Sequence, residues 1–143
     1  HIMKTRPILN LWLLVALACL IVFLALPFGS LVVAADSAQA VYPLHAYNFW
    51  GLIIPLTLAI LFAAYGGFTR HIHICKSIAS LACLMEIVTI GITAYIFYDK
   101  ASQGTLEWSW TIALVVAALL LTIMAIAGIN SDIRKVRNAD RLR

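Results

Sequence analysis

IASLACLMEIVTIGITAYIFY, residues Ile78–Tyr98, is an unbroken apolar run of roughly the 20 residues that an α-helix needs to cross the ~30 Å hydrocarbon core of a bilayer. Three more runs of similar length surround it: Ile8–Phe28 and Phe49–Phe68 before it, Trp110–Ile129 after it. Lipid offers no hydrogen-bond partner to a backbone, so a span is either a helix or a strand of a closed barrel. Continuous apolar runs, rather than roughly ten-residue pieces of alternating polarity, exclude the barrel. The expected fold class is all-α, an antiparallel bundle of four transmembrane helices. It forms a single integral membrane domain over residues 1–143, with a basic tail at 130–143.

Composition agrees. The chain is 64% hydrophobic and 11% charged, against roughly 25% charged residues in ordinary soluble domains. A water-soluble core of this size could not hide so much apolar surface. The net charge of +4 is a topology signature. If the N-terminus is cytoplasmic, Lys4, Arg6, Arg70, Lys76, Arg134, Lys135, Arg137, Arg141 and Arg143 all face the cytoplasm, and Lys100 alone faces out. Short loops obey this positive-inside bias, so both termini are expected in the cytoplasm. Asp36, Asp99 and Glu107 fall outside and weigh little. The anion nearest these basic residues is a lipid headgroup, so the bilayer and its anionic headgroups are the expected partners and nucleic acid is not.

His1 and Ile2 precede Met3 and read as a cloning remnant, with the native chain expected to start at Met3. The first run is too long for the core of a signal peptide, and the small-residue string Ala38-Gln39-Ala40 lies well past Pro27, so the run reads as a retained span. Pro27-Phe28-Gly29 stops the first helix and opens the longest connection, Gly29–Asn48. Leu31-Val32-Val33 and Val41-Tyr42 could pair there as a hairpin, although two short strands alone are marginal. The connection near Gly66–Lys76 is tight and makes helices two and three antiparallel neighbours. The connection Asp99–Ser109 reads as a polar loop. Tyr42, Tyr47, Trp50, Tyr95, Tyr98, Trp108 and Trp110 form an expected interfacial belt at the outer ends of the spans. No internal repeat supports an inverted-repeat transporter.

Glu86 breaks the apolar pattern as the sole formally charged residue inside any span. An ionised carboxylate there costs several kcal/mol, so such a group is protonated, paired or lines a cavity. Cys83, Thr89 and Thr93 lie at i−3, i+3 and i+7 on its helical face, with Ala82 and Ala79 one and two turns below. This stripe suits close helix packing and hydrogen bonding to a carboxyl. It permits a proton or cation site; the plainer reading is a neutral Glu86 bonded inside the bundle.

Cys19, Cys75 and Cys83 include no pair on the external side, so no disulfide or redox relay is expected. His71, His73 and Cys75 alternate in the tight basic connection, but metal sites ask for three or four converging ligands. With Arg70 and Lys76 beside them they read as headgroup contacts, and His45 is on the opposite side. No metal, cofactor or catalytic set is expected.

In the tail, Ile129, Ile133, Val136 and Ala139 share one helical face while Arg134, Lys135, Arg137 and Arg141 cover the rest. The fourth helix is therefore expected to continue past the membrane as a basic amphipathic extension. Its charges suit topology anchoring; Arg137, Asp140, Arg141 and Arg143 also suit docking to a protein or to headgroups.

The string Val136-Arg137-Asn138-Ala139-Asp140-Arg141-Leu142-Arg143 resembles the Val-Arg-Ser-Ala-Asp-Arg-Leu-Arg-like ending of a family of small four-helix membrane proteins from Bacteroidetes, domain of unknown function 4293. Asn138 replaces the Ser. The short basic start, the first helix ending in Pro27-Phe28, and the basic second connection with Arg70 and Cys75 follow the same layout. Met3-Lys4-Thr5-Arg6-Pro7 departs from the family's Gln-Arg-Ile-Gln opening. The resemblance implies the fold and a bacterial inner-membrane location, and it implies no reaction. The expected role is a non-enzymatic structural or accessory protein that scaffolds or regulates a membrane partner or a second copy. The alternative is a small proton- or cation-coupled transporter using Glu86.

Overall fold

The structure is a computed structural model that describes residues 4–35 and 38–141. Met3, Asp36 and Arg143, on which parts of the sequence reading fall, lie outside these residues. Four helices, α1 (Pro7–Ala25), α2 (Trp50–Phe68), α3 (Ile72–Lys100) and α4 (Ile112–Arg141), are each long and apolar enough to cross a membrane. Three short strands, β1 (Gly29–Ala35), β2 (Ala38–Leu44) and β3 (Thr105–Trp108), lie in the two connections at one end.

Local chemistry sets the helix ends. Pro7 occupies the first turn of α1, where its missing N–H costs nothing. Leu26 is extended (φ −101°, ψ 153°) because the ring of Pro27 disfavours helical backbone before it. The helix therefore stops at Ala25, and Phe28 belongs to the cap rather than to the span. α3 starts at Ile72, a turn and a half before the expected Ile78. Its polar first residues hid it from an apolarity reading, but His71 caps it, with Nδ1 accepting from the Ile74 N–H at 3.4 Å. α4 continues beyond its apolar run to Arg141, as its spacing implied.

The helices form a ring in which α1 touches α2 and α4, and α3 touches α2 and α4. Small residues line the seams, among them Ala16, Ala59, Ala63, Ala79, Ala82, Ala118 and Ala125, all fully buried. Among lipids, helices gain little from apolar burial and associate through this kind of close approach.

The other departure from expectation is the sheet, ordered β2-β1-β3 and antiparallel throughout. Val32 faces Val41 on one side and Thr105 on the other. The hairpin is therefore not a lone pair of strands, because β3 from the supposed polar loop adds the third strand that such a ribbon needs. The sheet is tied to the helices. Phe28 N–H donates to Leu44 O at 2.8 Å, Ser109 N–H to Phe28 O at 3.2 Å, and the Thr111 hydroxyl to Pro27 O at 2.8 Å. Beneath it, Phe28 meets Phe23, Phe49 and Phe97 at centroid distances of 5.8, 6.1 and 5.6 Å. Trp108 stacks on Phe97 at 4.0 Å. One end of the bundle thus carries an aromatic plug and a sheet; the other carries both ends of the described chain. Tyr42, Tyr47, Trp50, Tyr95, Tyr98, Trp108 and Trp110 are exposed at the sheet end.

Candidate functional site

Glu86 projects from α3 into the seam with α4 and is fully buried. Thr122 of α4 places Oγ1 at 3.0 Å from Glu86 Oε1 and 2.8 Å from the Ala118 carbonyl. A hydroxyl has one proton for those two acceptors. Both contacts are served at once if Glu86 is neutral, its carboxyl donating to Thr122 Oγ1 while Thr122 donates to Ala118 O. Glu86 Oε2 has no partner. The cavities at Lys76 and Arg134, at Pro27 and Trp110, and at Thr93 and Val115 are not lined by Glu86.

The other residues read as a polar site share the α3 face but do not join the carboxyl. Thr89 and Thr93 are buried, and their hydroxyls donate back to Met85 O and Thr89 O, each at 2.8 Å. Such bonds to the preceding turn satisfy a threonine within its own helix. Cys83 is half-buried. The partner that sequence reasoning missed is Thr122: its hydroxyl was visible mid-run, but only the register of α3 against α4 sets it opposite Glu86.

A second polar cluster closes the opposite end from the sheet, and it was missed too. Asn10 is buried, and its Nδ2 donates to Gly66 O at 3.0 Å and Thr69 O at 2.8 Å. These carbonyls end α2, where the helix has no N–H of its own to offer them. The Cys75 thiol donates to Gly66 O at 3.4 Å, and Thr5 N–H donates to Arg70 O at 2.8 Å. Arg6 Nε pairs with Asp132 Oδ2 at 2.7 Å, tying the start of α1 to α4. Asn10 was legible as a polar residue within an apolar run, the same signal that marked Glu86. All three cysteines are free. His71 and His73 stand 6.0 Å apart, and among the described residues no three His, Cys, Asp or Glu side chains come together.

Along the α4 extension, Ile133 is half-buried, whereas Val136 and Ala139 are exposed, so the apolar face outruns its packing partners. Arg137, Asp140 and Arg141 are exposed. Arg137 also lines an open cavity of about 460 Å³ with Lys76, Asn130, Ile133 and Arg134.

The model of the family described as domain of unknown function 4293 matches residues 8–142. The chain belongs to that family. No curated protein and no solved structure matches it significantly. Membership in domain of unknown function 4293 accords with the four-helix layout, and it brings no reaction or partner with it.

Proposed function

We propose that this chain is a non-enzymatic accessory protein of a bacterial inner membrane, with both termini in the cytoplasm, that scaffolds or regulates a membrane partner. The observation that carries this reading is the state of Glu86, which is fully buried and engaged by Thr122 within the bundle. A coupling carboxylate needs access to water, whereas a structural one needs a partner helix. The α4 extension, with its exposed basic side chains, supplies the surface on which a partner is regulated. In-membrane crosslinking tests the role. The native chain should capture a reproducible partner, and scrambling Arg137–Arg143 at constant composition should abolish that capture while insertion survives. A scramble that keeps every partner refutes tail docking.

The alternative, a small proton- or cation-coupled transporter, draws on the unpartnered Glu86 Oε2. Glu86→Gln separates the two. A structural Glu86 tolerates the amide within about 1 kcal/mol, while Glu86→Leu and Thr122→Val each cost about 1–2 kcal/mol through the lost interhelical bond. Thermal midpoints in detergent read this. A pH-dependent flux in liposomes that Gln abolishes would favour transport instead.

Orientation has its own test. A reporter active only in the cytoplasm should work when fused after Arg143 or within Phe68–Lys76, and stay silent within Gly29–Asn48. Activity in the last of these would invert the bundle.

A further inference from the structure

We propose that the cavity between the start of α3 and the extension of α4 binds the phosphate headgroup of an anionic phospholipid. It is about 460 Å³ and is lined by Lys76, Asn130, Ile133, Arg134 and Arg137. That volume lies in the roughly 300–1,000 Å³ range of small-molecule sites. Three cations converge there without an anion. Among the described residues the ion pair is Arg6–Asp132, which engages the carboxylate nearest Arg134 in sequence; Lys76, Arg134 and Arg137 take part in no ion pair there. Arg presents a planar fork that matches two phosphate oxygens, Lys a compact charge, and Asn130 an amide donor.

Position selects a lipid over a free anion. Asn130 and Arg134 lie just past the continuous apolar run of α4, which ends at Ile129, and Lys76 lies in the second turn of α3. This is the level at which headgroups meet a span. Above the cavity, past the exposed Ser80 on α3, an apolar flank runs along both helices. Ile126 and Ile123 rise one and two turns from Asn130, and Cys83 and Ile87 rise two and three turns from Lys76. Ile87 and Ile123 are exposed, leaving a path for an acyl chain. Inorganic phosphate would use the cations and ignore that path.

The test uses the full chain in phosphatidylcholine vesicles, with and without phosphatidylglycerol, reading co-purified lipid by native mass spectrometry and the thermal midpoint. The native chain should retain phosphatidylglycerol over phosphatidylcholine by about tenfold or more. Lys76→Gln/Arg134→Gln/Arg137→Gln should lose that preference and the phosphatidylglycerol-dependent rise in midpoint. A control of equal charge at the same end, Lys4→Gln/Arg70→Gln/Lys135→Gln, should keep both. Arg134→Lys/Arg137→Lys preserves charge but loses the forks, and should lower the preference several-fold. Three results would overturn the site: equal losses in the two triple variants, an unchanged preference in the Lys pair, or inorganic phosphate raising the midpoint in phosphatidylcholine as far as phosphatidylglycerol does.

Discussion

Asn10→Asp is expected to destabilise the bundle by about 3 kcal/mol or more, although it exchanges one atom. Both groups facing the Asn10 amide are carbonyl oxygens, Gly66 O at 3.0 Å and Thr69 O at 2.8 Å. The NH2 must therefore face them, and Asp offers an acceptor where two donors stood. An ionised carboxylate would be buried against two partial negative charges. Arg6, the residue that precedes α1, is already engaged by Asp132. Asn10→Ala should cost less, about 1–3 kcal/mol, because it leaves Thr69 O without the amide and Gly66 O with the weak Cys75 thiol, but adds no charge. Reversible unfolding in mixed micelles would read the order. Asp tolerated better than Ala would show that the α2 terminus does not depend on this amide.

Gly29→Ala is the second large effect, expected to cost about 1–3 kcal/mol and to loosen the sheet from the helices. A Cβ at residue 29 would lie 2.7 Å from Phe97 Cζ and 2.8 Å from the Glu107 backbone oxygen. Neither neighbour is free to yield. Phe97 is held between Phe28 at 5.6 Å and Trp108 at 4.0 Å, and Glu107 is paired with Ser30 in the β1–β3 ladder. The glycine is needed for close approach. Gly91→Ala provides the contrast, since nothing lies within 4 Å of its added Cβ and it sits inside α3. That change should be neutral or stabilise by up to ~1 kcal/mol through helix propensity. Thermal midpoints of the two variants, with hydrogen exchange across 29–35 and 105–108, check both. Equal midpoints would mean that the Phe97–Trp108 plug repacks freely.

The four apolar helices, their class and the break that Glu86 makes in the third were legible in sequence because lipid constrains each segment separately. A span must be apolar, satisfy its own backbone and be long enough, and each condition is local. The continuation of α4 to Arg141 was legible for the same reason, through helical spacing alone. Residues that answer to a distant segment were not. Thr105–Trp108 is four residues long with no pattern of its own, and it is a strand only because β1 offers an edge. Thr122 is one hydroxyl in an apolar run until the α3–α4 register lifts it to the height of Glu86. Asn10 and Asp132 acquire their roles from the ends of α2 and α1, and the basic cavity arises because Lys76 and Arg134, far apart in sequence, meet where α3 starts and α4 leaves the bundle. Solvation is a property of a segment, so sequence alone determined which segments form helices long and apolar enough to cross a membrane. A hydrogen bond, a close approach or a shared cavity needs two backbones at a set separation, and only the tertiary packing decides that distance.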